Sequence, residues 1–463
     1  MTVKSAGEKN AGRDSDGPLF TVLGDRTYRH LFLAQVVALI GTGLATVALG
    51  LLAYDLAGKD ASAVLGTALA IKMIAYVLIA PIAGAYANFL PRRVLLVGLD
   101  VARLAVVLVL PFVTQIWQIY VLIFVLQSCS AAFTPTFQAT IPDVLPAERD
   151  YTKALSLSRL AYDLESLLSP ALAALLLVVV SYQTLFFGTA FGFLGSALLV
   201  VSVVLPRAVS ASPQTSIRRK LTAGLRIYLA TPRLRGLLAL NLTAAAGSAM
   251  VIVNTAVIVR DELLRTDRAV AIALAAFGAG SMILAFALPR ILNRRTDRSV
   301  MLSGGVVLTV VMTILAFAWP LLGQTARWPT LLFAWLILGA TYASLVTPGG
   351  RVLRRSSHEA DRPALFAAQF SLSHVCWLIA YPVVGWLGSR VGMSPAMWAM
   401  AVLAALGVVA ARSAWPAGDQ AVVEHRHDDL PADHPHLQAN NQTASGWHAH
   451  PFVIDDLHTR WPA

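Results

Sequence analysis

Charged residues are scarce in this sequence. Asp, Glu, Lys and Arg make up 13% of its 463 residues, against roughly 25% in an ordinary soluble domain. They are also clustered, so that nine long stretches contain none of them: 31–54, 104–142, 166–206, 236–259, 269–289, 299–326, 328–350, 363–389 and 391–411. About 20 apolar residues are enough to cross a bilayer as a helix. A buried helix in a large soluble protein would not explain so many such stretches, so we predict a polytopic membrane protein.

Three further features are missing from the sequence. Its two cysteines, Cys129 and Cys376, lie inside apolar stretches, so the sequence indicates neither a disulfide framework nor a cysteine-based zinc site. No phosphate-cradling GxxxxGK[ST] loop occurs, so ATP-driven pumping has no support in the sequence. The first 28 residues are charged and lack the apolar stretch of a signal peptide.

The net charge of +11 is distributed unevenly along the chain. Residues 414–463 contain two arginines and seven acidic residues, a net charge of −5, which leaves +16 for the remainder. Most of that positive charge lies in short loops between apolar stretches. This distribution is typical of membrane topology, and we expect no binding to nucleic acid.

The apolar stretches predict twelve transmembrane helices in two six-helix halves. The predicted spans are 31–54, 62–88, 93–113, 116–140, 153–179, 184–205, 236–258, 268–291, 300–322, 328–349, 363–389 and 392–412. The divisions of the chain are then a segment 1–28, an N-terminal half 29–206, a central loop 207–235, a C-terminal half 236–413 and a tail 414–463. Two six-helix halves are a common build for secondary transporters, with the substrate site at the midplane between them.

Arginine is concentrated in loops on one side of the predicted bundle, at 92–93, 207–235, 290–298 and 351–362. Loops on the other side hold at most one Lys or Arg, apart from a mixed loop at 260–268 in which three arginines are balanced by three acids. The positive-inside rule therefore places both termini, and with them the tail, in the cytoplasm. We expect the protein in the inner membrane of a bacterium.

Two octapeptides indicate an internal repeat. "PRRVLLVG" at 91–98 and "DRSVMLSG" at 297–304 each join a second helix to a third, one in each half. The stretch "GAYANFLPRR" at 84–93 resembles the signature loop G-x-x-x-D-R-x-G-R-R of the major facilitator superfamily. The resemblance covers about residues 28–412, and it implies the major facilitator fold, an all-α membrane protein of twelve helices.

In that family the signature loop helps to latch one conformation through charge contacts. The candidates for this role lie in the loop or in the third span: Gly84, Asn88, Pro91, Arg92, Arg93, Asp100 and Arg103. Asn88 stands where the family has Asp, so we expect Asp100 and Arg103 to take over part of the latch. Two further stretches, 137–158 and 221–238, resemble the branch of the family that contains siderophore and drug exporters.

Charged side chains inside the predicted spans call for an explanation, because each costs about 3 kcal/mol or more in mid-bilayer. The candidates are Lys72, Arg159, Asp163 and Glu165. Helical spacing puts Arg159 and Asp163 on one face, where an intrahelical ion pair is one interpretation. Glu165 lies on another face with no opposite charge. It is expected to carry a proton, to contact a cation or to neutralise Lys72 from a neighbouring helix.

The eleventh span contains one further titratable candidate, His374, which is either a functional group or a satisfied packing residue. The stretch "ESLLSPALAA" at 165–174 loosely resembles the antiporter motif G-x-x-x-G-P-x-x-G-G, in which Pro170 matches. That resemblance implies export by proton exchange.

Histidine is concentrated in the tail, which holds seven of the ten histidines. Six of the seven form H-x-H pairs, and in an extended segment residues i and i+2 face the same side, so each pair presents two imidazoles to one ion. The candidate ligands are His425, His427, His434, His436, His448, His450 and His458, with Asp428, Asp429 and Asp433 beside them. Imidazole and carboxylate without thiolate suit Ni²⁺, Co²⁺ or Zn²⁺. The alternative is a solvated, disordered tail.

A transporter of this superfamily with a histidine-rich cytoplasmic end resembles the bacterial nickel-resistance (NreB-type) permeases. That resemblance implies proton-coupled efflux of Ni²⁺, with Co²⁺ as a second substrate, by a protein that is not an enzyme and holds no other cofactor. Two alternatives stay open: export of a siderophore or amphipathic drug with a regulatory tail, and a metal-sensing membrane protein that does not transport. We expect a monomer that exchanges its substrate for protons within the lipid bilayer.

Overall fold

The structure is a computed structural model. It describes residues 19–86, 91–147, 150–151, 153–154, 157–158, 161, 165, 169, 172–173, 175–205, 217–358, 361–418, 422–426, 447–455, 457–458 and 460–461.

Eleven long helices form the body of the protein within these residues. The first half contains α1 (Arg26–Ala57), α2 (Ala61–Tyr86), α3 (Arg92–Val109), α4 (Ile116–Val144) and α5 (Tyr182–Val201). The second half contains α7 (Pro232–Val257), α8 (Asp267–Leu292), α9 (Asp297–Ala318), α10 (Gln324–Val346), α12 (Arg362–Arg390) and α13 (Met393–Ala414). Two shorter helices are α6 (Ile217–Ala230) in the central loop and α11 (Gly349–Arg355).

The eleven long helices coincide with predicted spans to within five residues at each end. Among the described residues, ten segments are long and apolar enough to cross a membrane, and the first of them, Arg26–Ile79, contains α1 and most of α2. Large apolar side chains such as Phe191, Phe286 and Phe317 are exposed on the outer surface, as is expected of helices that face lipid. The predicted fifth span, 153–179, lies largely outside the described residues.

Local sequence signals set several helix ends. Asp25 caps α1 by accepting from the backbone N–H of Tyr28 at 2.7 Å, and Thr296 caps α9 by accepting from that of Ser299 at 3.2 Å. The turn between α12 and α13 requires a positive φ of 114° at Gly392, a conformation that favours glycine.

The same helix pairs pack together in both halves, which confirms the internal repeat. In the first half α1 packs on α5, α2 on α4 and α3 on α5. In the second half the equivalent pairs are α7 with α13, α8 with α10 and α9 with α13. Each half is therefore a bundle of the same architecture.

The two halves approach each other closely along α2 and α12. A Cβ atom built on Gly66 would lie 2.5 Å from the carbonyl oxygen of Tyr381 and 3.2 Å from Cα of Gly385, closer than real side chains allow. These residues lie at the end of the bundle where α2 begins, which we call the far face. We call the opposite end, where α6, the start of α7 and α11 lie, the linker face.

The tail adds a small β-hairpin to an otherwise helical protein. Strand β1 (Val422–Arg426) pairs antiparallel with β2 (Trp447–Pro451), and His425 lies directly opposite His448. This hairpin was not predicted as paired strands, because its partners are separated by a 20-residue segment, 427–446. The hairpin lies at the linker face, where the segment that follows it contacts α7.

Candidate functional site

A charged pair lies in the middle of the first half. Lys72 is on the central part of α2, and its ammonium group interacts electrostatically with the carboxylate of Glu165. Both side chains are largely enclosed by the surrounding protein. This interaction supports one of the three predicted roles of Glu165, the neutralisation of Lys72, and all three stay predictions. Arg159 and Asp163 lie outside the described residues.

Glu165 lies against a glycine of α1. A Cβ atom built on Gly43 would meet the side chain of Ser169 and would lie 3.0 Å from Oε1 of Glu165. Only glycine leaves room for both side chains at this position. The close approach of α1 and the fifth span fixes where the carboxylate lies.

Lys72 also lines a pocket between helices of the first half. Its polar lining comes from α1, α2 and α4, namely Thr42, Thr46, Lys72, Gln127 and Ser130. The hydroxyl groups of Thr42, Thr46 and Ser130 each donate to the backbone carbonyl one turn earlier. Lys72 is therefore the cationic group of a pocket whose other polar groups are neutral.

His374 lies at the contact between the two halves. Its ring stacks on Tyr76 of α2, with ring centroids 5.2 Å apart and an interplanar angle of 5°. Its Nδ1 atom is 2.6 Å from the carbonyl oxygen of Phe370, whose own ring also contacts Tyr76 at 5.6 Å. Since Tyr76 is one turn from Lys72, this aromatic stack joins the second half to the charged pair. Tyr76 had no signal in the sequence.

The predicted latch loop forms contacts within the first half. Arg92, in the first turn of α3, forms a salt bridge with Asp143 near the end of α4, and Arg93 donates to the carbonyl oxygen of Val201. Pro91 immediately precedes α3 and Gly84 lies in the last turn of α2. Asn88 lies outside the described residues.

An equivalent salt bridge with exchanged charges occurs in the second half. Asp297, in the first turn of α9, pairs with Arg351 of α11 at 3.3 Å. In the internal repeat, Asp297 corresponds to Pro91, the residue before Arg92. Each half thus has one ion pair at the linker face that ties the start of its third helix either to the end of its fourth helix or to the short helix α11 that follows it.

Asp100 and Arg103 lie deeper in α3 than the latch loop. They pair with each other, and Asp100 also accepts from the hydroxyl of Ser196 at 2.7 Å. The Arg103 guanidinium lies over the rings of Phe133 and Phe193. The structure therefore places them in the interior of the first half and does not bring them to the loop, so their share in the latch stays a prediction.

The tail brings four histidines together. His425 of β1 and His448 and His450 of β2 share one face of the hairpin, because facing residues, and residues two apart on a strand, point to the same side. His458 returns to this face after a turn. Within the described residues these four form one cluster, in which a ligand nitrogen from each lies within 4.8 Å of the others.

Two of the four histidines are oriented by a second hydrogen bond. Nδ1 of His425 lies 3.1 Å from the carbonyl oxygen of Val423, and Nδ1 of His458 lies 2.9 Å from Oδ1 of Asp455. Their Nε2 atoms face each other at 3.0 Å. Histidine ligands of metal ions usually donate their other N–H to such a carbonyl or carboxylate.

The electrostatics of Asp455 support this arrangement. Partial burial alone would raise the pKa of its carboxyl group, but hydrogen bonds from the backbone and ring of His458 and from His358 outweigh that effect and hold the pKa below its usual range. Asp455 therefore presents a carboxylate to His458. A carboxylate–histidine pair of this kind raises the basicity of a metal ligand.

The donor set fits a borderline divalent cation. Imidazole nitrogens bind such ions at about 2.0–2.1 Å, so ligand atoms on one ion lie about 3–4 Å apart. The ligand nitrogens of the four rings, all within 4.8 Å of one another, come close to that spacing. Imidazole ligands without thiolate suit Ni²⁺, Co²⁺ and Zn²⁺.

The cluster is enclosed, because His425, His448 and His458 are at most 7% exposed. The other predicted ligands, His427, His434, His436, Asp428, Asp429 and Asp433, lie outside the described residues. The pairing of Asp455 with His458 was not predicted from the sequence.

The chain matches known transporters over most of its length. The family model of the Major Facilitator Superfamily matches residues 31–294 and 237–424. An uncharacterized MFS-type transporter, YvqJ of Bacillus subtilis (strain 168), is 22% identical over 385 residues, which cover 79% of this chain and 87% of that protein. Another from the same organism, YfiS, is 25% identical over 163 residues, 34% of this chain and 39% of that protein.

Solved structures with a similar fold are named as transporters of different substrates. The nucleoside transporter NupG superposes with a TM-score of 0.64 at 13% identity, covering 84% of this chain and 98% of that one. A D-xylose–proton symporter superposes with a TM-score of 0.64 at 14% identity, covering 87% and 99%. At such identities the likeness shows the fold alone. The two family-model matches together cover both halves, and the chain belongs to the Major Facilitator Superfamily.

Proposed function

We propose that this secondary transporter exports divalent metal cations, Ni²⁺ and Co²⁺, in exchange for protons. The observation that carries the proposal is the enclosed cluster of His425, His448, His450 and His458 at the linker face. A transporter has no structural need for four converging imidazoles at the entrance to its second half. Their chemistry selects the same borderline ions that the sequence resemblance implies.

The arginine-rich loops favour a cytoplasmic linker face, and in that orientation the cluster would meet cytoplasmic metal. The net negative charge of the tail gathers cations around it before any specific contact forms. Within the membrane, Glu165 supplies a carboxyl group that exchanges a proton with the pathway, and the positive charge of Lys72 offsets part of the cost of charging that group. Export then follows from alternate opening of the two faces around the midplane.

A second candidate is export of an anionic or neutral organic solute, with metal binding in the tail as a regulatory signal. It is favoured by Lys72, a cation that lines the pocket of the first half. In addition, among the described membrane residues no three His, Cys, Asp or Glu side chains converge as a metal site. In this pocket a divalent cation would meet the positive charge of Lys72 and no set of three converging ligands among the described residues.

Transport into inside-out membrane vesicles separates the two candidates. Such vesicles expose the linker face, so export appears as uptake driven by an acidic interior. We expect the vesicles to accumulate radioactive nickel. A protonophore should abolish this accumulation, and Co²⁺ should compete with nickel for transport. Replacing both His448 and His450 by alanine should raise the half-saturating nickel concentration at least tenfold, because two of four ligands are lost.

The matched control is His30→Ala, since His30 lies in α1 and contacts Ser202 rather than the tail. It should leave the nickel dependence unchanged. Vesicles that accumulate no nickel above the background of cells without the protein would reject metal export. Pumping of an organic dye by the same vesicles would then support the second candidate.

A further inference from the structure

The four-histidine cluster is joined to the transporter body by a residue that also orients one of its ligands. One oxygen of Asp455 accepts from the ring and backbone N–H of His458, and the other lies 3.2 Å from Nε2 of His358. His358 lies in the loop between α11 and α12. The carboxylate therefore links the cluster directly to the loop that precedes α12.

Phe452 forms a second connection to the transporter body. Its ring stands edge-on to the rings of His425 and His458, with centroids 4.8 Å apart in each case. Its carbonyl oxygen accepts from Arg233 at 3.1 Å, and the guanidinium of Arg233 lies 4.8 Å from the ring of Trp461. Arg233 belongs to the first turn of α7 and is only 2% exposed, so the tail covers it.

These contacts converge where the central loop enters the second half. Helix α6 packs on α12, because a Cβ built on Gly224 would meet the carbonyl of Ala364 and because Tyr228 donates to Gln369. Helix α7 begins at Pro232, directly after α6. We call this region, residues 224–236 with residues 356–358 and 361–366, the elbow. A change in the packing or mobility of the elbow therefore affects the central loop, which joins the two halves.

The two strands contribute little stability by themselves. An isolated two-stranded hairpin is marginally stable at best in water, and the face that these strands share carries imidazole rings. Phe452 and Ile454, just after β2, pack into the apolar core of the transporter, and a shared ion would add a cross-link between the strands and this docked segment. Binding to the docked form alone stabilises that form by mass action, by about 100-fold when the free ion is at 100 times its Kd.

We propose that a divalent ion held by the four histidines fastens the tail to the elbow, so that cytoplasmic metal controls the mobility of the joint between the halves. The tail is then a metal-responsive regulator in addition to any role in capture. This inference rests on the metal binding used in the proposed function, but it does not depend on which solute is transported. It requires that occupancy of the cluster change the behaviour of residues in α7 and before α12.

Hydrogen exchange of the full-length protein in lipid nanodiscs tests this coupling. The metal-free protein and the protein with saturating Ni²⁺ are compared, first wild type and then the pair His448→Ala and His450→Ala, with His30→Ala as the control. We expect Ni²⁺ to slow exchange about 100-fold in residues 447–458, and at least tenfold in the elbow. The paired variant should show neither effect, and His30→Ala should behave as wild type.

A second variant tests the connection rather than the cluster. The side chain of His358 is 55% exposed, so His358→Ala is expected to fold normally and to keep protection of the hairpin by Ni²⁺. It should lose most of the metal-dependent protection in residues 356–366. Unchanged protection there would overturn the proposed connection.

The outcomes for the two proposals differ. Protection of the hairpin alone, with the elbow unaffected in wild type, would overturn the regulatory inference. Absence of any nickel effect on exchange would overturn it as well, even if vesicles transport nickel. Protection of the elbow in a protein that transports no nickel would uphold this inference and reject metal export.

Discussion

At the scale of single residues, the interaction of Lys72 with Glu165 lowers the free-energy cost of placing charge inside the membrane. Removing one partner of a buried ion pair leaves the other uncompensated and typically costs about 3–5 kcal/mol, whereas removing both is often neutral. A carboxylate that only balances Lys72 and one that also carries the coupling proton therefore respond differently to paired substitution.

We predict that Glu165→Gln abolishes transport driven by a pH gradient while the protein still reaches the membrane. In the double variant Lys72→Met with Glu165→Gln, thermal stability should return to near the wild-type value, because no uncompensated charge remains. Uphill transport should stay absent, since no carboxylate is left to exchange a proton. The measurements are thermal unfolding in detergent and uptake by vesicles with and without the gradient.

Recovery of uphill transport in the double variant would reduce Glu165 to a counter-ion of Lys72. The sequence alone raised this partnership as one of three roles, because Glu165 has no opposite charge on its own helix face. It did not predict the contact of Glu165 with Gly43 or the stack of Tyr76 on His374. Those contacts depend on how helices distant in sequence pack together.

At the scale of elements, the helices were more predictable than the tail. The spans predicted from apolar, charge-poor stretches agree with the eleven long helices to within five residues at each end, because a charge cannot enter the hydrocarbon cheaply. The H-x-H spacing correctly placed His448 and His450 on one side of a strand. It did not predict that His425 and His458 join them, since cross-strand pairing over 20 residues leaves no local pattern.

Helix α6 provides a test of how an element outside the membrane is positioned. We predict that Gly224→Val separates α6 from α12, because a Cβ atom at this position would meet the carbonyl group of Ala364. Hydrogen exchange in residues 217–230 should become at least tenfold faster. The matched control is Gly350→Val in α11, where a Cβ would have nothing within 4 Å. Equal exchange rates in the two variants would show that α6 does not depend on this contact.

At the scale of the whole molecule, the ion pairs at the linker face and the glycine contact at the far face act at opposite ends. Arg92–Asp143 and Asp297–Arg351 each stiffen one half, so the halves are suited to move as units. Gly66 and Gly385 let α2 and α12 close the far face. An alternating-access cycle needs that closure to be reversible.

The orientation of the molecule in the membrane is itself testable. The arginine-rich loops predict that both termini and the tail lie in the cytoplasm. A reporter enzyme that is active only in the periplasm, fused after residue 413, should therefore be silent, whereas the same reporter inserted in the loop between α10 and α9, after Gly323, should be active. Activity of the fusion after residue 413 would invert the topology, and would expose the histidine cluster to the outside.

The far-face contact predicts how a single bulky residue shifts the conformational cycle. In Gly385→Leu the new side chain has no room, because a Cβ atom there meets the carbonyl group of Ser62 and lies 3.2 Å from Cα of Gly66. Overpacking of a tight contact typically costs about 1–3 kcal/mol, and parting α2 from α12 relieves that cost. The far face should therefore stay open for a larger fraction of the time.

Cysteine labelling measures that fraction directly. Ser62 is fully buried at this contact, so Ser62→Cys, in a protein whose Cys129 and Cys376 are replaced by alanine, reacts with a membrane-impermeant maleimide only when the far face opens. A shift of about 1.4 kcal/mol corresponds to a tenfold change in a two-state equilibrium, so Gly385→Leu should raise the labelling rate about tenfold. Gly98→Leu is the control, because a Cβ on Gly98 in α3 meets nothing within 4 Å. If Gly385→Leu labels no faster than this control, α2 and α12 do not form the gate of the far face.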